Sequence, residues 1–118
     1  MTRVILLDDN PDMLATLKLL LEDGGLDVVT CMRAAAALQA QRERPADVLV
    51  TDIFMPDADG LEVIQQFRRG WPSMRIIAMW GGGRKVKGDY LDTAREAGAD
   101  IALRKPVDPN ELLRLLSS

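Results

Sequence analysis

The chain has 118 residues, with 15 Lys and Arg against 18 Asp and Glu, one Cys, no His and a formal net charge of −3 at pH 7. Without histidine and with a single thiol, it has no means of building a Cys/His zinc site, a Ser-His-Asp triad or an internal disulfide. The length fits one domain, and the acidic balance argues against direct binding to nucleic acid.

The chain shows no sign of a membrane segment or a signal peptide. The longest apolar runs, such as residues 4–7, are far shorter than the roughly 18 residues that a membrane span needs. Residues 1–3 lead straight into a predicted strand. We therefore expect a cytoplasmic protein with no membrane partner, in which Cys31 is reduced and serves as a small buried apolar residue.

Apolar runs and segments of helical period alternate from the start of the chain. Residues 4–7 are a continuous apolar run, typical of a central parallel strand covered on both faces. Asn10 caps a helix that begins with proline and ends before Gly24. A second strand is predicted at 27–31 and an alanine-rich helix at 33–42.

The second half of the chain continues this alternation. Its predicted elements are a strand at 48–50, a turn at 56–59, a helix from 61 to 70, a strand at 75–80, a glycine-rich loop at 81–88, a helix at 89–97, a strand at 101–103 and a helix capped at 108. This order predicts a single α/β domain over 1–118: a flavodoxin-like, doubly wound sheet of five parallel strands, in order 2-1-3-4-5, with five helices.

Charged side chains stand where three of the predicted strands end. Asp8 and Asp9 follow the first strand, and Asp52 follows the third, its neighbour in this order. Because ligands bind beyond the carboxyl ends of such strands, we expect the three acids to share one pocket with Lys105, which follows the fifth. Oxygen ligands alone favour a hard ion such as Mg²⁺. Phosphate oxygens would complete its coordination, with Asp52 as the natural nucleophile and Lys105 as a second positive charge.

A simpler interpretation of strand-end acids is that they are solvated at the sheet rim or cap helices. We adopt it for four acids outside the cluster: Asp12, Asp57, Asp59 and Asp108. It does not account for the convergence of the clustered acids or for the lysine opposite them.

These motifs resemble the receiver domains of two-component response regulators over essentially the whole chain. The matching stretches are VILLDDN at 4–10, VTDIFMP at 50–56, DGLE at 59–62, GAD at 98–100 and KP at 105–106. The resemblance implies that Asp52 accepts a phosphoryl group from a histidine kinase or phosphotransfer protein. It also implies Mg²⁺ bound by Asp8, Asp9, Asp52 and the backbone carbonyl of Phe54, so that the identity of the Phe54 side chain matters little.

The resemblance carries further expectations for the end of the chain. Lys105 would contact the phosphoryl oxygens, and the bond between Lys105 and Pro106 would be cis. Nothing follows Ser118, so we expect a stand-alone receiver, monomeric or weakly dimeric, that signals by binding an unidentified downstream protein. Its own chemistry would be limited to Mg²⁺-dependent self-phosphorylation and autodephosphorylation.

The chain departs from the family pattern at both switch positions. Trp80 stands where the family has a Ser or Thr hydroxyl, and Ala102 stands where it usually has an aromatic residue. An indole N–H cannot replace that hydroxyl in the same space. Trp80 could swing outward on a hinge at 81–83 as an anchor for a partner, lie over the pocket, or fill the space left by Ala102.

Three functions remain open at this point. The first is a phosphorylatable receiver. The second is a phosphorylation-insensitive pseudo-receiver that acts as a constitutive protein-binding module, and the third is a small flavodoxin-like enzyme or flavin binder, although the glycine-rich loop fits no nucleotide-binding motif. The loop cations Arg84, Lys85 and Lys87 could meet an acidic partner, or could simply be solvated.

Overall fold

Strands and helices alternate along the chain in the predicted order. The computed structural model describes residues 1–56, 58–81 and 90–117. The strands are β1 (Arg3–Leu7), β2 (Asp27–Cys31), β3 (Val48–Asp52), β4 (Phe54–Met55), β5 (Ala58–Asp59), β6 (Arg75–Gly81) and β7 (Ile101–Lys105). The helices are α1 (Pro11–Asp23), α2 (Ala34–Glu43), α3 (Gly60–Gly70), α4 (Leu91–Ala97) and α5 (Pro109–Ser117).

Five of the strands form one parallel sheet in the order β2-β1-β3-β6-β7. This is the predicted order 2-1-3-4-5, because β4 and β5 belong to a separate two-stranded antiparallel ribbon. The ribbon takes in two of the four residues of the turn predicted at 56–59, since Phe54 pairs with Asp59 and Met55 with Ala58. Asp57 lies outside the described residues.

Two strands run two residues further than the sequence indicated, and both extensions carry site residues. β3 continues to Asp52, which is in register with Met79 of β6, and β7 continues to Lys105, which is in register with Gly81. Asp52 and Lys105 are therefore held at the carboxyl end of the sheet ladder. Residues 82–89 lie outside the described part of the chain, and with them the predicted start of α4 and the cations Arg84, Lys85 and Lys87.

Both faces of the sheet are covered, as the apolar strands predict. Alternate β1 residues point to opposite faces, with Val4 and Leu6 packed beneath α1 and α5, and Ile5 and Leu7 beneath α2, α3 and α4. Cys31 is buried in the second of these layers, and this burial raises the pKa of its thiol. Among the described helices, not one combines the length and apolarity needed to cross a bilayer.

Polar side chains set the helix starts that face the site. Asn10 Oδ1 accepts the backbone N–H groups of Asp12 and Met13 at 3.1 and 3.2 Å, as expected of an N-cap. Asp59 accepts the N–H of Leu61, and Asp108 accepts the N–H of Asn110. Asp59 and Asp108 are therefore capping residues, whereas Asp12 is exposed in the first turn of α1.

Gly60 gives the first testable prediction, because the chain passes very close to it. A Cβ there would overlap the carbonyl oxygen of Ile53 and lie 2.6 Å from that of Asp52, whereas a Cβ on Gly70 of the same helix would meet nothing within 4 Å. We expect Gly60→Ala to lower the free energy of unfolding by about 1–3 kcal/mol in urea denaturation, because backbone atoms must move. Gly70→Ala is the matched control, and equal losses in the two variants would contradict this packing.

Candidate functional site

The structure brings the predicted acids together at the carboxyl edge of the sheet. Asp8 directly follows β1, Asp52 ends β3, and these two strands are paired through Leu7 and Thr51. One carboxylate oxygen from each of Asp8, Asp9 and Asp52 lies within 4.8 Å of the other two. Strand pairing therefore creates the cluster.

Lys105 joins two of these carboxylates. Its Nζ lies 2.6 Å from Asp8 Oδ2 and 3.1 Å from Asp52 Oδ2. Asp8 is fully buried and Asp52 is 3% exposed, so the ammonium group offsets carboxylate charges that have little contact with solvent. Three carboxylates against one ammonium leave a local excess of negative charge, which suits a divalent cation.

Backbone donors orient the second oxygen of each bridged carboxylate. The N–H of Asn10 donates to Asp8 Oδ1 at 2.9 Å, and the N–H of Phe54 donates to Asp52 Oδ1 at 3.2 Å. Each carboxylate is thus held at one oxygen by Lys105 and at the other by the backbone two residues further on. Asp9 is half-buried beside them.

Burial and charge act in opposite directions on the ionisable groups. Burial raises the pKa of Asp52; the Lys105 charge opposes this increase and the Asp8 charge adds to it, so that the pKa lies above its ordinary value. For Lys105, burial lowers the pKa, but the hydrogen bond to Asp8 and the charges of both carboxylates outweigh it and raise the pKa. Lys105 is therefore protonated at neutral pH.

A cavity of about 600 Å³ opens onto these charged groups. It is lined by Asp8, Asp9, Asn10, Met13, Thr16, Leu17, Asp52, Gly81, Lys105, Pro106, Val107 and Pro109. Gly81 adopts a φ of +97°, which disfavours any side chain at that wall. The bond between Lys105 and Pro106 is cis. The cavity is large enough for a tetrahedral oxyanion beside Lys105.

Trp80 lies in the core. It is 6% exposed and belongs to the apolar cluster that contains Ile53 and Ala94, and Ala102 packs against the same cluster. The outward orientation on a hinge is therefore wrong, because β6 continues through Trp80 to Gly81 and directs the indole inward. Trp80 is not among the cavity-lining residues either, so its position matches the interpretation that it fills space beside Ala102.

The structure adds a contact that the sequence reasoning missed. The ring of Phe54 meets the ring of Tyr90 edge to face, with centroids 5.0 Å apart and an interplanar angle of 84°. From the sequence, Phe54 was expected to contribute only its backbone carbonyl, and no role was predicted for Tyr90. The sequence analysis placed Phe54 just before the turn predicted at 56–59 and Tyr90 in the first turn of the helix predicted at 89–97, and neither position signals this contact.

The comparisons with known proteins agree with this geometry. The sequence model of the response regulator receiver domain matches residues 4–117, and the chain belongs to that family. The transcriptional regulatory protein KdpE of Mycobacterium tuberculosis is 35% identical over 116 residues, which cover 98% of this chain and 50% of KdpE. An uncharacterised 14.6 kDa protein of Leptolyngbya boryana is 33% identical over 96% of this chain and 86% of its own length.

Solved structures show the same fold. A response regulator receiver domain protein of Clostridium thermocellum superposes with a TM-score of 0.87 at 28% identity, covering 99% of this chain and 92% of that one. A CheY-like receiver domain protein of Methanospirillum hungatei also gives 0.87 at 28% identity, over 99% and 91%. Receiver domains are generally non-enzymatic signalling modules that bind Mg²⁺ at an acidic pocket and interact with histidine kinases and downstream effectors.

The raised pKa of Asp52 predicts a stabilising substitution. Ionising the Asp52 carboxyl destabilises the folded state. This destabilisation is fully present at pH values above the folded-state pKa, and it is absent at pH values below 3.8, the ordinary pKa of the group. In chelator, Asp52→Asn should therefore raise the free energy of unfolding at pH 7, and the gain should shrink as the pH falls through the folded pKa.

Urea denaturation from pH 7 to pH 4 measures this difference. Glu96→Gln, which removes an exposed carboxylate from α4, is the control and should change stability by no more than about 0.5 kcal/mol. A destabilised Asp52→Asn variant at pH 7, or a gain that grows on acidification, would contradict the proposed balance of charges.

Proposed function

We propose that this chain, over residues 1–118, is a phosphoacceptor receiver domain in which Asp52 takes a phosphoryl group from a histidine kinase or phosphotransfer protein. The observation that carries the proposal is the bridge from Lys105 to two buried carboxylates, at 2.6 and 3.1 Å, beside an open cavity. A carboxylate that was solvated at the sheet rim would not need such a partner, whereas a buried one does.

The transfer needs an ionised nucleophile and a way to hold the phosphoryl oxygens. An oxygen of Asp52 forms a bond to phosphorus while the P–N bond of the donor phosphohistidine breaks, and the imidazole nitrogen leaves with that electron pair and takes up a proton. No general base is required, because the carboxylate carries no proton when it attacks. Lys105, whose Nζ lies 3.1 Å from Asp52 Oδ2, would bind the phosphoryl oxygens during this transfer.

The donor set fits Mg²⁺. The clustered oxygens of Asp8, Asp9 and Asp52, with the backbone carbonyl of Phe54, would hold the ion, and none of these ligands is nitrogen or sulfur. When bound, the ion would neutralise the carboxylates and the incoming phosphoryl oxygens. The backbone N–H groups of Asn10 and Phe54 hold the carboxylates of Asp8 and Asp52 in the orientation that this binding needs.

The product would act through protein contacts in the cytoplasm. The chain spans about half the length of KdpE, and regulation of transcription is a property of that relative. For this chain we propose a changed surface around α4 and β7 that binds a downstream protein, with the domain monomeric or weakly dimeric and without contact to nucleic acid or membrane. The net charge of −3 supports the absence of contact with nucleic acid, whose phosphate backbone binds positively charged surfaces.

The packing of Trp80 favours one alternative function. Its buried indole lies one residue before the end of β6 and supplies no hydroxyl, and small Ala102 packs against the same apolar cluster. If the surface does not respond to Asp52, the domain acts as a pseudo-receiver, a constitutive protein-binding module. The two functions differ in whether Asp52 accepts phosphate and whether the surface then changes.

Small-molecule donors test phosphoryl acceptance directly. With acetyl phosphate or phosphoramidate and Mg²⁺, intact mass should show one phosphate adduct on the native chain. The adduct should be absent from Asp52→Asn and strongly reduced in chelator. Asp12→Asn, which changes an exposed acid of α1, is the control and should behave as the native chain. No adduct under any condition would refute the proposal, and an equal adduct on Asp52→Asn would place the acceptor elsewhere.

Trp80→Thr tests what the indole contributes. The change removes a large buried side chain, so the free energy of unfolding should fall by about 3 kcal/mol. It also places a hydroxyl at the end of β6, and we expect the lifetime of the Asp52 adduct to change because that hydroxyl can donate to the phosphoryl group. The measurement is adduct decay by mass after removal of the donor. Trp80→Val, which has similar shape to Thr without a hydroxyl, is the control, and equal decay in the two variants would leave Trp80 as packing alone.

A further inference from the structure

Phe54 connects the candidate acceptor to a part of the chain outside the charged site. Its backbone N–H donates to Asp52 Oδ1 at 3.2 Å, and its ring contacts Tyr90 with the centroids 5.0 Å apart at 84°. Edge-to-face geometry is a favoured arrangement of aromatic rings, so that the contact fixes the orientation of one ring relative to the other. The orientation of Asp52 and the position of Tyr90 are therefore linked through one residue.

Tyr90 is fixed to α4 at its other end. Its carbonyl accepts the N–H of Ala94 at 2.9 Å, which begins the first turn of the helix, and Ala94 is fully buried in the core. Tyr90 occupies the N-cap position but makes no side-chain capping bond. The aromatic ring is thus not needed to start the helix, and its described ring contact is with Phe54.

Phe54 itself rests on a small support. It lies in a ribbon of two residues per strand, paired with Asp59, and one residue separates the ribbon from the end of β3. Ribbons this short are marginal without side-chain packing. The Phe54 side chain is half-buried against the cluster that also packs against Tyr90, so loss of the Tyr90 ring leaves the Phe54 amide less well placed.

We propose that Tyr90 is a positioning residue for Asp52. By packing against Phe54, it holds the Phe54 amide on Asp52 Oδ1 and so keeps the carboxylate aimed for phosphoryl acceptance. Coupling between two sites is reciprocal, so a change at Asp52 is passed through the same ring contact to the first turn of α4. The inference rests on the proposed function for its kinetic consequence, and it gives the Phe54 side chain a role that its carbonyl alone does not.

This connection is independent of the two departures from the family pattern. Trp80 carries no hydroxyl and is packed in the core, where its buried Nε1 has no hydrogen-bond partner among the described residues, and Ala102 has no ring. The Phe54 amide contacts Asp52 Oδ1 directly, and the Phe54 ring reaches α4. A site that lacks the usual switch pair can still reach α4 by this route.

The kinetic test compares three single variants. We expect Tyr90→Ala to lower the maximal rate of adduct formation from phosphoramidate in saturating Mg²⁺ by about threefold to tenfold, the size of effect expected from a lost aromatic pair. Tyr90→Phe keeps the ring and should stay within about twofold of the native rate. Trp71→Ala is the matched control: it breaks the other aromatic pair, Phe67 with Trp71, at 5.5 Å and away from the cavity, and should leave the rate unchanged.

A double-variant cycle separates positioning from general loss of stability. If Tyr90 acts through the Phe54 ring, Tyr90→Ala should have no further effect in a Phe54→Ala background. Fully additive effects would overturn the proposal. So would a rate loss in Tyr90→Ala that Tyr90→Phe shares, because the contact requires only the ring.

Carbon NMR makes the test independent of phosphorylation. In the metal-free protein, the Asp52 carboxyl ¹³C resonance, assigned by its loss in Asp52→Asn, should shift in Tyr90→Ala and stay in place in Tyr90→Phe and Trp71→Ala. If the native chain accepts no phosphate but the resonance shifts, the proposed function fails and the positioning contact stands. If the native chain accepts phosphate and Tyr90→Ala changes neither rate nor resonance, the positioning role is refuted.

Discussion

The contact between Lys105 and two buried carboxylates is the constraint on which the site depends. The Lys105 ammonium group lies between Asp8 and Asp52 because β1 and β3 are paired and β7 ends at their level across β6. Burying like charges at one sheet edge is costly, and the lysine offsets much of that cost while leaving an excess of negative charge. The same arrangement therefore limits the free-energy cost of the buried carboxylates and keeps the edge suited to a cation and a phosphoryl group.

The rest of the site follows from how the backbone meets these carboxylates. The Asn10 side chain caps α1, and the Asn10 backbone N–H donates to Asp8. The Phe54 backbone N–H, where the ribbon begins, donates to Asp52. Local structure on either side is thus tied to carboxylate orientation. With Trp80 committed to the core, the ring of Phe54 against Tyr90 becomes the link between the acceptor and α4. Acceptance and signalling would then share one residue.

The sequence allowed the sheet order and the carboxylate cluster to be predicted, because strand order decides which strand ends are neighbours. The positions of Asp8 and Asp52 could be predicted from that rule alone, and the position of Lys105 from its place after the last predicted strand. The orientation of Trp80 could not be predicted by that rule. A glycine hinge after Trp80 would expose the indole, whereas a strand that continues to Gly81 buries it, and the sequence is compatible with both. The contact of Phe54 with Tyr90 joins the ribbon to the N-cap of α4, and hydrophobic periodicity does not predict a contact between segments so far apart in the chain.

The central claim is that Asp52, among three neighbouring carboxylates, is the group that accepts phosphate. Borohydride reduction of the phosphorylated chain, followed by peptide mass spectrometry, tests it most directly, because an acyl phosphate is reduced to the alcohol while a free carboxylate is not. The account predicts homoserine at position 52 and unchanged Asp8 and Asp9. Homoserine at either of those positions, or a phosphate adduct that resists reduction, would contradict it.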